Sequence, residues 1–162
     1  MHWNGLLTRI LAIEDNDAKW DRIEPVIARV LPDAKIVRAR DLHDGEREVE
    51  KDGWDLLLLD VSLDIRAGAG RAGRGSHDYV GGLKIAGRMF YLECEVPTII
   101  VTGFDAFPTG TASSANDVIL GLEDVEREAG RLLGDYLLGA IRFGTGDWEA
   151  QLANLLAKGK QE

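Results

Sequence analysis

Hydrophobic positions along the chain follow two alternating patterns. Short apolar runs are bounded by polar residues or glycine, and between them lie longer stretches with apolar residues three and four apart. The sharpest run is Leu56-Leu57-Leu58-Leu59, between Gly53 and Asp60. Four consecutive leucines leave no polar face, so the run reads as a strand buried on both sides. Such a strand belongs in a parallel sheet with helices above and below. The run is too short for a helix, and the Asp/Ser/Arg/Gly stretch beyond it would stop one. Residues 6–13 give a first strand, 34–39 a second, 98–101 a fourth and 136–143 a fifth.

The intervening stretches read as helices. Asp15, Asn16 or Asp17 can cap the first, whose Trp20, Ile23, Ile27, Val30 and Leu31 share one face. Pro25 lies off that face and predicts a kink or a split. Asp41 caps a second helix, which carries Leu42 and Val49 inward and ends at Gly53. Gly81-Gly82 opens a third with Leu83, Ala86 and Phe90 on one face and Ile85, Met89 and Leu92 beside it, an apolar surface broad enough to predict deep burial. Val118, Leu122, Val125, Ala129 and Leu132 mark a fourth. Asp147 caps a fifth with Trp148, Leu152, Leu155 and Leu156 inward. Alternating strands and helices predict an α/β fold, a doubly wound five-stranded parallel sheet in the order 2-1-3-4-5. The loops after strands 3 and 4 are enlarged. Residues 61–78, with Arg66, Arg71 and Arg74 among glycines, read as a flexible, solvated insertion in preference to a cationic flap over the site. Residues 104–116 form the second long loop.

Composition narrows the function classes. The 162 residues fit one domain, 1–162, with no dividing linker or internal repeat. A net charge of −9 disfavours nucleic acid and anionic membranes as partners. Cys94 is the lone cysteine, which fits a reducing cytoplasm and reads as a small apolar residue. No run is long enough to span a membrane, and the amino end lacks the pattern of a secretion signal. His2, His43 and His77 are scattered and read as surface residues.

Chemistry-capable groups fall at the strand ends: Glu14 and Asp15 after the first, Asp60 after the third, Thr102 after the fourth. A parallel sheet brings these ends to one edge, with a crevice where the strand order reverses between strands 1 and 3. Carboxylates gathered there repel one another and call for a cation. Mg2+ suits them, as a hard ion that takes oxygen ligands and keeps positions open for water or phosphate. A carboxylate beside it can attack a phosphoryl donor and hold an acyl phosphate, and Thr102 can hydrogen-bond a phosphate oxygen.

The runs Ile10-Leu11-Ala12-Ile13-Glu14-Asp15-Asn16, Leu56-Leu57-Leu58-Leu59-Asp60 and Pro97-Thr98-Ile99-Ile100-Val101-Thr102-Gly103, in this order and spacing, resemble the receiver domain of bacterial response regulators over nearly the whole chain. The resemblance implies a flavodoxin-like fold and a phosphoacceptor domain of a two-component system, with Asp60 the phosphoacceptor. It makes Asp15 a direct Mg2+ ligand, Glu14 a ligand through water and the Ser62 backbone carbonyl the third protein ligand. Thr102 would move to meet the phosphoryl group. A sensor histidine kinase or phosphotransfer protein would be the donor, and the state would pass to a downstream protein by contact. No enzymatic activity beyond slow autophosphatase is implied. The chain departs from the family in lacking a lysine at the end of strand 5, where Gly139 falls in one register and Ile141 or Arg142 in the other. Arg142 could supply the charge, although its guanidinium is a fork and not a point donor. Asp64 replaces the proline usual after the phosphoacceptor. The departures support a second reading, a pseudo-receiver used only as an interaction module. A phosphohydrolase of the haloacid-dehalogenase kind ranks last, because its second Asp would fall at Ser62.

Overall fold

The computed structural model describes residues 8–65, 77–103, 106–108 and 119–161. In chain order the elements are β1 (Arg9–Ile13), α1 (Asp17–Val30), β2 (Lys35–Ala39), α2 (Leu42–Val49), β3 (Leu56–Leu59), β4 (Leu63–Asp64), β5 (His77–Asp78), α3 (Gly81–Leu92), β6 (Thr98–Thr102), β7 (Ala106–Pro108), β8 (Ile119–Gly121), α4 (Leu122–Leu133), a 3-10 turn (Gly134–Tyr136), β9 (Leu137–Arg142) and α5 (Trp148–Gln161). The main sheet is parallel and runs β2-β1-β3-β6-β9, the doubly wound order expected.

Side-chain alternation along each strand divides the core in two. Ile10, Ala12, Leu56, Leu58, Ile99 and Val101 face α1 and α5, where Ile23, Ile27, Trp148, Leu152 and Leu156 meet them. Leu11, Ile13, Leu57 and Leu59 face the other way, against Leu42 and Val49 of α2 and Ile85 and Met89 of α3. The four leucines of β3 therefore serve both layers. Each contributes roughly 1.5–3 kcal/mol by leaving water, which holds the central strand, and the Asp60 that follows it, in a fixed place.

Several expectations need correction. Of the two outcomes expected at Pro25, the split does not occur, since α1 is continuous from Asp17 to Val30. Pro25 is exposed, so the Asp21 carbonyl that loses its helical donor can turn to water. Among the three candidate caps, Asn16 is the one used, its Oδ1 accepting the Lys19 amide at 2.9 Å. Helix α3 is buried on one side only. Ile85, Ala86 and Met89 are buried, while Phe90, Tyr91 and Leu92 are exposed. Helix α4 starts at Leu122, because the residues just before it form β8, paired antiparallel with β7. The ends of the 61–78 stretch are likewise ordered: Leu63–Asp64 pairs with His77–Asp78. The arginines and glycines at 66–76, and most of the 104–116 loop, lie outside the described residues.

The loop after β3 and the start of α3 meet closely. The Gly82 amide donates to the Val61 carbonyl at 2.8 Å. A Cβ on Gly82 would lie 2.7 Å from the Val61 Cα and collide with the Asp60 carbonyl. Only glycine allows this approach, so Gly82 helps to fix the backbone that carries Asp60.

Candidate functional site

Glu14, Asp15 and Asp60 converge at the carboxyl edge of the sheet, beside the point where β1 turns to β2 on one side and β3 on the other. One carboxylate oxygen from each lies within 4.8 Å of the others. Backbone pairing sets this up, since the Glu14 amide donates to the Ala39 carbonyl and the Asp60 amide to the Ile13 carbonyl, both at 3.0 Å. Glu14 and Asp60 are almost fully buried, at 3% and 4% exposure. Asp60 Oδ1 accepts the Val61 amide at 2.7 Å, and Glu14 Oε1 accepts the Asn16 amide at 3.0 Å.

The cation among these groups is Lys19, from the first turn of α1. Its ammonium lies 2.6 Å from Glu14 Oε2, 3.0 Å from Asp60 Oδ2 and 2.7 Å from the Val101 carbonyl. An ammonium has three donors, and each has an acceptor here. The side chain is only 7% exposed. The sequence pointed to Arg142 for this charge. Arg142 does end β9 beside Thr102, but its guanidinium donates to the Gly103 carbonyl, and the ammonium paired with Asp60 is that of Lys19. A signal for Lys19 was present: it falls at the head of the stripe Lys19, Ile23, Val26/Ile27, so a lysine lies on the buried face of its helix.

On the other side of the pocket lies a second group. Asp15 Oδ2 accepts the Asp64 amide at 2.7 Å. Asp64 Oδ1 is 2.7 Å from His77 Nδ1, and His77 Nε2 is 2.5 Å from Ser62 Oγ. His77 Nδ1 is 4.0 Å from Asp15 Oδ2. His77 is thus half-buried at the site and not a surface residue, brought there by the β4–β5 pair. No local pattern in the sequence signals it. His43 is exposed as expected, and His2 lies outside the described residues. Asp15, Asp64 and His77 form a second cluster of metal-capable groups beside the first. Thr102 is fully buried at the end of β6, and Ser62 is buried beside Asp60. A cleft of about 560 Å³ opens here, lined by residues that include Asp15, Lys19, Asp60, Ser62, His77 and Phe143.

Electrostatics mark an excess of negative charge. Burial first, then the charge of Asp60, pushes Glu14 up from 4.5 to about 7, against the opposing pull of Lys19. Burial also raises Asp15 from its ordinary value. If ionised, the three carboxylates set against one ammonium leave two negative charges, which a divalent cation balances. The donors are hard oxygens, so this set fits Mg2+. Without a metal, a proton held on Glu14 relieves part of the same excess.

No protein-family model and no curated protein matches the chain. Solved structures do. A signal receiver domain of a two-component histidine kinase from Clostridium thermocellum matches over 96% of this chain and 98% of its own, at TM-score 0.65 and 11% identity. A CheY-like response regulator receiver domain from Methanospirillum hungatei JF-1 covers 96% and 98%, at TM-score 0.59 and 17% identity. The receiver domain of a sensor histidine kinase from Pseudomonas aeruginosa PAO1, with a magnesium ion coordinated in its active-site cleft, covers 96% and 99%, at TM-score 0.58 and 18% identity. The chain therefore has the flavodoxin-like, CheY-like fold of receiver domains. At these identities the likeness is one of fold. None of the described helices is long and apolar enough to cross a membrane.

Proposed function

We propose that this chain is a phosphoacceptor signalling domain of a two-component system, with Asp60 receiving the phosphoryl group. The observation that carries the reading is the convergence of Glu14, Asp15, Asp60 and Lys19 at the carboxyl edge of a receiver-fold sheet, two of the carboxylates almost fully buried. Asp15, Asp60 and the Ser62 carbonyl would hold Mg2+, with Glu14 joining through water. The metal would offset negative charge on the transferring group. Asp60 is the nucleophile because it lies at the cleft with its Oδ1 oriented by the Val61 amide. Thr102, at the end of the neighbouring strand, would bond a phosphoryl oxygen. A sensor histidine kinase or phosphotransfer protein in the cytoplasm would be the donor. The protein would act by contact with a downstream partner, with at most slow loss of its own phosphoryl group. Incubation with Mg2+ and acetyl phosphate should add the mass of one phosphoryl group, and Asp60→Asn should abolish the addition while the protein stays folded. Equal labelling of Asp60→Asn would refute the assignment.

One observation favours the second reading, a pseudo-receiver. All three donors of Lys19 are engaged and bind Glu14, Asp60 and Val101 into a closed network. If that network never opens, no label is taken up with any donor, and partner binding is the same with and without Mg2+.

A further inference from the structure

We infer that Lys19 is the cation that meets the phosphoryl group on Asp60, a task carried out from the first turn of α1 and not from the end of the fifth strand. The inference rests on the phosphoacceptor reading. In the described residues the end of β9 offers Ile141 and Arg142, and Arg142 donates to the Gly103 carbonyl. Lys19 is instead buried, and its ammonium touches the nucleophile itself, 3.0 Å from Asp60 Oδ2.

The chemistry asks for such a group. Phosphoryl transfer from acetyl phosphate forms one bond from an Asp60 carboxylate oxygen to phosphorus. It breaks the bond from phosphorus to the acetyl oxygen, and acetate leaves with the electron pair. No proton is consumed. The Asp60 carboxylate loses its charge in the process, and new negative charge appears on the phosphoryl oxygens next to it. The ammonium paired with Oδ2 then loses its ionic partner and has a new one within reach. A buried, fixed cation at this point needs no reorganisation to stabilise the developing charge. Its remaining bonds, to Glu14 and to the Val101 carbonyl, hold it in place while the partner changes. Val101 precedes Thr102, so Lys19 also ties the phosphoacceptor to the strand end that would respond.

The test separates this role from a structural one. Lys19→Met keeps the unbranched apolar stem, one atom shorter, and removes the charge. Magnesium affinity and acetyl-phosphate labelling are measured on the wild type, Lys19→Met and Asp60→Asn, with melting temperatures alongside. The expected result is labelling slowed tenfold or more in Lys19→Met, with magnesium binding kept or tightened because Glu14 and Asp60 lose a competing cation. A purely structural lysine would lower magnesium affinity and labelling together with the melting temperature, and that pattern overturns the inference. So does labelling of Lys19→Met within twofold of the wild type, which leaves the phosphoacceptor reading standing. A wild type that takes no label removes that reading and the role of Lys19 with it. If Lys19→Met does not fold, the wild type still decides: the Lys19 ammonium signal in 15N NMR should shift on adding beryllofluoride to the magnesium-loaded protein, and an unchanged signal overturns the inference.

Discussion

Lys19 and Glu14 set the behaviour of the pocket at the scale of single residues. Glu14 keeps its proton up to about 7 in the folded protein, against 4.5 ordinarily. Between those values the folded state binds more protons than the unfolded state, so stability of the metal-free protein falls as pH rises through that window. Thermal melts across the window should show this fall; the raised Asp15 acts with the same sign, starting from its ordinary 3.8. Glu14→Gln should flatten most of the slope, and an unchanged slope would mean that the burial of Glu14 has been misread. The carboxylates were legible in the sequence because each follows an apolar run, and a strand end fixes where the next residue goes. Lys19 carries no role in the sequence reading, and His77 reads there as a surface residue. Their roles come from residues far along the chain: Asp60 and Val101 for Lys19, Ser62 and Asp64 for His77. The apolar stripe of α1 did contain Lys19, but a lysine at a helix end commonly reaches solvent.

At the scale of elements, the junction between β3 and α3 is the tightest point of the site. Gly82 is pressed against the backbone of Asp60 and Val61. Gly82→Ala should destabilise the protein by about 1–3 kcal/mol in urea denaturation, because the backbone must shift to admit the methyl group. It should also weaken magnesium binding, since the displaced backbone carries Asp60 and leads to Ser62. A neutral substitution would mean that the junction is looser than the geometry implies. The strands and helices were readable because each has a strong period or a continuous apolar run. The pairs β4–β5 and β7–β8 were not, since strands of two or three residues carry no periodic signal. The exposed side of α3 was not readable either, because apolar spacing alone does not say that a helix has neighbours on both sides. Trp54 lies ahead of β3, at the opposite edge from Asp60, with its Nε1 bonded to the Glu48 carbonyl at 2.7 Å. Trp20 adjoins Lys19 and borders the same small hollow as Glu14 and Asp60, so its fluorescence should respond to ligands at the site more than that of Trp54.

At the scale of the molecule, the strand order brings chemistry from distant parts of the chain to one edge. The switch in strand order between the parallel neighbours β1 and β3 opens the crevice, and the two-sided burial of β3 keeps its end from moving. The net charge of −9 raises the local concentration of divalent cations around such an edge. The most direct measurement is a magnesium titration followed by amide NMR, repeated with beryllofluoride. The account predicts saturable shifts at millimolar magnesium centred on residues 14–16 and 60–62, and further shifts spreading to Thr102 and Lys19 when beryllofluoride is added. A pocket whose signals stay unmoved at high magnesium, with or without beryllofluoride, would contradict it.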